Sequence, residues 1–381
     1  MKSPFCPTVG EIVSQQFQDG SFAQIIAVTP RYLGADAMVR TPLSRHTTPS
    51  TGDAHALIRS KGGKIRAVLN ACPHRNNQLF PVGLTVNDVL VQRAGNVSQN
   101  ESIVCPFHRY TYNPKGEFVY APVFAEEEKK PCLALNSIAI EQVGGLIFEA
   151  GRGAPEMLQD VFAEASFVRL GIEPFDLKKS VLHSTEETHE VFSALDAMEV
   201  FGDTDHVDDI HKASFNQLVD MQNLWLGYGK HWSIQFVGWR KETTLVCDAY
   251  RDYREAVLSQ GNIPLYGAVW MMFGPYTTFE WYPTDVPGEH VFVVSTFVPN
   301  ESGGCRNVIE WYVPEALLVR NPELVGKLKK AYAVTAAEDR ELCISTKRGR
   351  RALVDNGYSN QKLGPIHPHE EGCIGHYYNM L

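Results

Sequence analysis

Cys72-Pro73-His74 and, further along the chain, Cys105-Pro106-Phe107-His108 are the two stretches that decide how this protein folds. Each stretch places a thiol and an imidazole on a short loop that proline stiffens. Two thiolates on one iron and two imidazoles on the other can hold a [2Fe-2S] cluster, and the imidazoles raise its reduction potential. A structural zinc ion, which also accepts two cysteines and two histidines, is the alternative that these residues leave open.

The pair of motifs resembles the Rieske signature, C-x-H followed by C-x-x-H, which implies a domain built around a [2Fe-2S] cluster. The cluster ligands implied by this resemblance are Cys72, His74, Cys105 and His108. The spacer between the motifs (residues 75–104) is longer than is usual in the family and predicts an inserted hairpin or loop within Gly83–Ser102. Arg109 and Tyr110 stand where the family has glycine and tryptophan, so a positive charge is expected beside the cluster.

A second group of potential metal ligands is spaced as Glu199-x-x-x-Asp203-x-x-His206-x-x-x-x-His211. On a regular helix Glu199, Asp203 and His206 share one face. His211 would lie about 140° away, so we expect the helix to end or distort after His206. Two histidines and one carboxylate bind ferrous iron on one side and leave the other side open for oxygen and substrate. The sequence therefore predicts an iron site whose carboxylate comes from elsewhere in the chain.

The missing carboxylate is expected in a long helix predicted for Leu324–Arg350. Its Glu338-Asp339 pair looks like the pair that supplies the third iron ligand in Rieske oxygenases. The resemblance implies that Asp339 binds iron and that Glu338 is its neighbour. From the residues alone, an acidic pair on a solvated helix face is the alternative.

Gly202-Asp203-x-x-His206-Val207 also resembles the catalytic motif of this family. The resemblance implies that Asp203 does not bind iron but hydrogen-bonds His108 of a neighbouring subunit and so joins the two metal centres. Asp205 stands where the family has an aromatic residue, and it is expected to add a carboxylate near the iron. Glu199 is expected either to line the pocket or to be an ordinary exposed glutamate.

Short apolar runs separated by turns, followed by strands flanked by helices, predict an α+β fold. The family resemblance implies an N-terminal all-β Rieske domain and a helix-grip catalytic domain, in which helices cover an antiparallel sheet. The predicted limits are 1–22 for a segment that packs on the catalytic domain, 23–152 for the Rieske domain and 153–381 for the catalytic domain with its mononuclear iron. The predicted strands are Ala23–Thr29, Ala56–Arg59, Arg66–Leu69, Val89–Gln92, Glu117–Tyr120, Ile138–Ile140, Leu146–Glu149, Ser180–Thr188, Ser233–Gly238, Thr243–Asp248, Ala268–Phe273, Thr277–Tyr282, His290–Val298 and Asn307–Val313.

Composition restricts the class of protein. The 381 residues suffice for two packed domains. A net charge of −9 argues against a nucleic-acid surface. The chain shows no apolar segment long enough to span a bilayer, and its start lacks a signal core. Its 8 cysteines form no dense framework and indicate reduced thiols in a cytoplasm.

The resemblance implies the terminal oxygenase, or α subunit, of a Rieske non-haem iron oxygenase, acting as a mono- or dioxygenase. No glycine-rich nucleotide fingerprint is present, so electrons from NAD(P)H are expected through a separate reductase, with or without a ferredoxin. A bridge between subunits requires a head-to-tail ring, and the resemblance implies that this ring closes as a homotrimer. The sequence does not say whether a β subunit is added. An electron carrier without enzymatic activity is the alternative from another class.

The substrate is less well defined. Six aromatic residues between Tyr266 and Pro283 suit a box around a quaternary ammonium group, although packing within the strands is the more ordinary explanation of them. Hydroxylation or oxidative N-demethylation of an amine is one reading. Ring hydroxylation or O-demethylation of an aromatic acid is the other. The aromatic residues are Trp270, Phe273, Tyr276, Phe279, Trp281 and Tyr282.

Overall fold

The computed structural model describes residues 6–82, 100–123, 133–163, 167, 177–244 and 246–381. Two compact units are present: Arg31–Ala154 forms one, and Met1–Pro30 joins Pro155–Leu381 in the other. The domain limits predicted at residues 22 and 152 stay predictions. Among the described residues, no helix is both long and apolar enough to cross a membrane.

The unit Arg31–Ala154 is built from short antiparallel strands in three small sheets. The first sheet has the order β1-β10-β9, the second β2-β3-β4-β8 and the third β5-β6-β7. Their bounds are Tyr32–Ala35 (β1), Arg45–Thr47 (β2), His55–Arg59 (β3), Ile65–Leu69 (β4), Ile103–Val104 (β5), Thr111–Tyr112 (β6), Phe118–Tyr120 (β7), Ser137–Ile138 (β8), Ile140–Val143 (β9) and Leu146–Glu149 (β10). The all-β prediction for this region is confirmed, although the strand predicted at Ile138–Ile140 is divided between β8 and β9. The strand predicted at Val89–Gln92 and most of the predicted insertion lie outside the described residues.

The strand predicted at Ala23–Thr29 is wrong, because this stretch ends a helix that spans Gln15–Val28. The helix begins after Ser14, whose hydroxyl accepts a hydrogen bond from the Phe17 N–H. Phe22 and Ile25 are buried three positions apart, which is helical spacing rather than the alternation of a strand. A short apolar run does not distinguish the two on its own. A small helix, Val9–Val13, precedes it.

A seven-stranded antiparallel sheet forms the centre of the larger unit, in the order β11-β17-β16-β15-β14-β13-β12. Its strands are Ser180–Glu190 (β11), Val219–Tyr228 (β12), Trp232–Trp239 (β13), Ala268–Phe273 (β14), Thr277–Pro283 (β15), His290–Pro299 (β16) and Cys305–Pro314 (β17). Six of them were predicted from the sequence and β12 was missed. The strand predicted at Thr243–Asp248 is wrong, since a helix, Asp248–Val257, begins there.

The long predicted helix is confirmed and spans Pro322–Asp355. It begins with proline in the first turn, where a missing N–H costs nothing. Leu324, Leu328 and Ala331 face the sheet and are buried against it. Continuing this stripe by four residues at a time reaches Thr335 and then Asp339. The same periodicity that packs the helix therefore carries Asp339 to the sheet. Further helices among the described residues are Ala154–Phe162, which begins at the boundary of the two units, Ala194–Gly202, Glu315–Arg320 and Gly372–Met380. Helices and an antiparallel sheet together confirm the α+β prediction.

Candidate metal centres

The two cysteine loops of the smaller unit have the same backbone geometry. The C=O of Cys72 accepts a hydrogen bond from the N–H of Asn76, four residues on, and Cys105 does the same with Arg109. Asn76 has a φ of 57° and Arg109 a φ of 63°, so each turn ends with a residue in the left-handed backbone conformation. This explains why the family has glycine where Arg109 stands, because glycine adopts this conformation without strain.

The four residues predicted as cluster ligands converge. The thiols of Cys72 and Cys105 are buried, and the ring centroids of His74 and His108 lie 4.9 Å apart. A hydrogen bond from Cys105 lowers the pKa of Cys72 to about 6, and the same contact raises the pKa of Cys105. Nδ1 of His108 is buried without a hydrogen-bond partner among the described residues, as expected of an atom that binds a metal. These donors fit a [2Fe-2S] cluster with two thiolates and two imidazoles.

Two tyrosines complete the surroundings of these ligands. The hydroxyl of Tyr112 lies 3.1 Å from Sγ of Cys72, and hydrogen bonds to cluster sulfurs help set the potential. Tyr110 stacks on His74 with ring centroids 4.1 Å apart. An aromatic ring thus stands at the position of the family's tryptophan, whereas the contact of Tyr112 had no signal in the sequence.

In the larger unit, the helix that leads to the second site starts and ends at defined positions. Ser193 and Asp196 form a reciprocal capping box at its beginning. The helix ends at Gly202, and the N–H and hydroxyl of Thr204 both donate to the C=O of Glu370. The prediction that the helix continues to His206 is therefore wrong: His206 lies on a separate 3-10 turn, Asp205–Asp208.

Three side chains meet at this second site. Nε2 of His206 lies 3.2 Å from Nε2 of His211, and Oδ1 of Asp339 lies 3.4 Å and 3.0 Å from these two nitrogens. A divalent ion about 2.1 Å from each of three ligands on one side would set edges of roughly 3.0–3.4 Å. Oδ1 of Asp339 is buried with no hydrogen-bond partner among the described residues. The triangle therefore fits the predicted iron, with the remaining coordination positions open.

Carboxylates also lie behind both histidines. Oε2 of Glu338 lies 2.7 Å from Nδ1 of His211 and accepts a 2.6 Å hydrogen bond from the Ser214 hydroxyl. Such a contact fixes which ring nitrogen carries the proton and leaves Nε2 for a metal. Oδ2 of Asp203 lies 3.3 Å from Nδ1 of His206, outside hydrogen-bonding angles. Sequence reasoning placed Glu338 only as a neighbour of Asp339 and missed this role.

Charge at this site favours a bound cation. Burial lowers the pKa of His206, but Asp203 and Asp339 outweigh that effect and raise it to about 9. Burial raises the pKa of Asp339, but His206 and His211 lower it by more, so that it stays below its ordinary value. The two carboxylates thus stabilise positive charge at His206, and a metal ion bound here would take the place of a proton.

The structure corrects two expectations about nearby acidic residues. Glu199 is neither exposed nor part of the cavity lining, because it is buried and lies 2.5 Å from a guanidinium nitrogen of Arg350. Its carboxylate also accepts a hydrogen bond from Tyr378. Asp205 is exposed and is not part of the described cavity lining, although its N–H donates to Asp203. The predicted additional carboxylate near the iron is therefore wrong.

A cavity of about 330 Å³ opens at the three ligands, between the sheet and the long helix. Of the six aromatic residues predicted as a box, Trp270 and Tyr282 line it. Phe279 and Trp281 point to the opposite side of the sheet, as alternation along a strand requires. Strand packing thus explains most of that pattern. Other aromatic residues of the lining come from outside the predicted stretch: Phe192, Phe201, Phe215, Tyr250, Tyr253, Phe297 and Tyr332.

Comparison with known protein families gives matches in both units. Residues 35–137 match the Rieske [2Fe-2S] domain, and residues 197–381 match the catalytic domain of the ring hydroxylating alpha subunit.

Two curated relatives match nearly the whole chain. A putrescine 2-hydroxylase of Ralstonia nicotianae is 31% identical over 356 residues, which cover 92% of this chain and 87% of the relative. A putrescine 2-hydroxylase of Bordetella bronchiseptica is 28% identical over 392 residues, covering 96% of this chain and 82% of the relative.

Solved structures agree at the level of the fold. The quaternary ammonium Rieske monooxygenase CntA in complex with L-carnitine superposes with a TM-score of 0.71 at 17% identity, over 99% of this chain and 94% of that one. Naphthalene 1,2-dioxygenase from Rhodococcus sp. superposes with a TM-score of 0.69 at 13% identity, over 98% and 92%.

Proposed function

This chain belongs to the Rieske non-haem iron oxygenases as an α subunit. We propose that it hydroxylates a small aliphatic amine. As a member of this family it is an O2-dependent oxidoreductase with a [2Fe-2S] cluster and a mononuclear iron. The carrier and zinc alternatives are therefore wrong. The observation that carries the choice of substrate is the likeness, over nearly the full chain, to two enzymes that hydroxylate putrescine.

We propose a role for each predicted site residue. Cys72, His74, Cys105 and His108 would hold the cluster, and His206, His211 and Asp339 would hold the iron. When both are bound, the cluster delivers electrons and the iron uses them with O2 to hydroxylate the substrate. Glu338 keeps a proton on Nδ1 of His211, so that Nε2 faces the metal. The convergence of three ligand atoms within a cavity that suits a small molecule supports this assignment.

Asp203 is proposed to join the two centres between subunits. Its carboxylate lies beside His206, and 22% of its side chain is exposed, which leaves it accessible to a second chain. A hydrogen bond from the imidazole of His108 of a neighbouring subunit to the Asp203 carboxylate would require a head-to-tail ring of subunits, and we propose that this ring is a homotrimer. A quaternary ammonium Rieske monooxygenase whose solved structure gave insights into inter-subunit electron transfer has the same fold, which supports this proposal.

The partners follow from the electron requirement of this family. We propose a separate reductase that draws on NAD(P)H, directly or through a ferredoxin. Every cysteine that the structure describes is a thiol rather than half of a disulfide, which supports work in a reducing cytoplasm. The domain division proposed is a cluster domain within 23–152 and a catalytic domain in 153–381, against which the N-terminal segment packs.

A second candidate substrate class is a quaternary ammonium compound. The rings of Trp270, Tyr250 and Phe215 line the cavity, and aromatic faces attract such cations. Hydroxylation of an N-methyl carbon would then release an aldehyde and a demethylated amine.

Turnover by the purified protein tests the proposed function. The oxygenase, loaded with iron and supplied with a suitable reductase, is incubated with 1,4-diaminobutane, with its permethylated analogue and with benzoate. We expect the diamine to gain one oxygen atom, matched by O2 uptake, and a His206→Ala variant to lose this activity. Aldehyde from the permethylated compound alone would favour the second candidate, and a hydroxylated benzoate alone would refute both.

A further inference from the structure

Glu280 is a buried carboxylate in the cavity wall. It lies on β15, opposite Trp270 of β14, and only 1% of its surface is exposed. Its neighbours in the chain, Phe279 and Trp281, point away from the cavity, so the strand presents Glu280 to the same space as the three proposed iron ligands. A carboxylate is seldom buried in this way without a partner.

Three hydroxyl groups donate to Glu280, and no cationic side chain of the described residues does. Thr278 donates to Oε1 at 2.9 Å and Tyr282 donates to Oε2 at 2.7 Å. Tyr332 donates a longer bond to Oε1 at 3.4 Å. Among the described residues, no lysine, arginine or histidine lies within ion-pair distance of this carboxylate. The hydroxyls fix the orientation of the carboxylate and leave room for one more donor.

Other carboxylates in the cavity wall are already neutralised. Glu186 forms an ion pair with Lys329, and Glu190 lies 2.7 Å from Nε of Arg340. Asp203 and Asp339 face the histidines of the proposed iron site. Glu280 therefore differs from the rest of the described lining in having no positive partner within the protein.

The surroundings of Glu280 make its charge sensitive to what enters the cavity. Burial raises its pKa to about 7, although its three hydroxyl donors act in the opposite direction. The charge of Asp339 raises this pKa as well, so the carboxylate and Asp339 belong to one electrostatic environment. A cation entering the cavity would favour the ionised form.

We infer that Glu280 anchors an ammonium group of the substrate and thereby selects primary alkylamines. This inference rests on the proposed function and adds the residue that recognises the amine. A primary ammonium offers three N–H donors to a carboxylate that hydroxyls already hold in place, whereas a quaternary ammonium offers none. Glu280 is a specificity-determining residue and takes no part in holding the metal.

Binding measured by calorimetry on the iron-loaded protein tests this role without relying on turnover. The ligands are 1,4-diaminobutane and 1,4-butanediol, which have the same length but differ in charge. In Glu280→Gln we expect the diamine to bind about 30-fold more weakly or worse, as when one member of a buried charge pair is lost, and the diol to be unaffected. Glu187→Gln is the matched control, because that exposed carboxylate on β11 pairs with Arg306 and is not part of the cavity lining, and it should keep the wild-type preference.

The preference for diamine over diol is the ratio of two dissociation constants measured on the same protein preparation. It therefore does not depend on what fraction of the variant is folded. If Glu280→Gln does not fold, Glu280→Asp keeps the charge but withdraws it by one methylene. We expect that variant to prefer 1,5-diaminopentane over the shorter diamine, and no shift with chain length would overturn the inference. A diamine preference that persists in Glu280→Gln overturns this inference alone. Wild-type protein that prefers no amine overturns the proposed function as well.

Discussion

Replacing Glu338 by alanine should weaken iron binding while leaving the cluster intact. The carboxylate makes two short contacts, 2.7 Å to Nδ1 of His211 and 2.6 Å to the hydroxyl of Ser214. Removing such a partner of a ligating histidine costs about 10- to 100-fold in metal affinity, which is roughly 1.4–2.8 kcal/mol. Most of this free energy should come from losing the contact with His211, since that ring is almost fully buried and the hydrogen bond to a carboxylate is charge-assisted.

Three further variants separate the effect of orienting the His211 ring from the effect of the negative charge of Glu338. Glu338→Gln keeps an oxygen that can accept from His211, so we expect a loss near the lower end of that range. Ser214→Ala leaves the carboxylate on His211 and should change iron affinity by no more than about threefold. Glu341→Gln is the control, because Glu341 lies on the same helix but is exposed.

The assay is competition for ferrous iron with a calibrated chelator, under anaerobic conditions. The visible spectrum of the cluster, which is bound in the other unit, serves as an internal standard for folded protein. Wild-type iron affinity in Glu338→Ala would contradict this role of Glu338, because His211 would then need no carboxylate to present Nε2. Loss of the cluster together with the iron would indicate general unfolding instead.

Three more predictions concern stability, each measured by denaturant unfolding. Glu280 has a folded-state pKa of about 7 against an ordinary 4.5. The stabilising contribution of its protonated form is therefore full below about pH 4.5 and is lost as the pH rises through 7, so the free energy of unfolding of the wild type should fall by about 3 kcal/mol relative to that of Glu280→Gln. Parallel pH profiles of the two proteins would contradict this. Arg109→Gly should stabilise the cluster unit by about 0.5–1 kcal/mol, because φ is 63° there, and a destabilised variant would show that the side-chain contacts of Arg109 outweigh the strain. Arg350→Met should cost about 3–5 kcal/mol, since it strands the buried carboxylates of Asp196 and Glu199; a loss below about 1 kcal/mol would refute a buried charge network.

Many of the correct predictions rest on the spacing of residues that are close together in the sequence. The two cysteine loops, the pair of histidines and the long helix are each defined by residues close together in the chain. The strands of the larger unit showed clear alternation, and six of seven were predicted within two or three residues. Asp339 was identified through the family resemblance, because an acidic pair on a helix has no distinguishing pattern of its own.

The errors came from interactions between distant residues. The helix ends before His206 because Thr204 bonds to Glu370, which lies 166 positions away. Glu199 looked like a pocket residue, but Arg350 on the long helix holds it in the core. The contacts of Glu338 with His211 and of Tyr112 with Cys72 likewise depend on the fold. The strand predicted at Ala23–Thr29 is wrong for a different reason, since a short and mostly apolar stretch suits a buried helix as well as a strand.

Iron and acid-labile sulfide analysis of anaerobically purified protein, with an EPR spectrum after reduction, shows whether one chain holds both a [2Fe-2S] cluster and a mononuclear iron. A [2Fe-2S] cluster and one mononuclear iron predict about three irons and two sulfides per chain, with a Rieske-type signal. In His206→Ala the iron content should fall by one while the sulfide and the signal persist. Zinc without sulfide in the wild-type protein, or an unchanged iron content in that variant, would contradict the account.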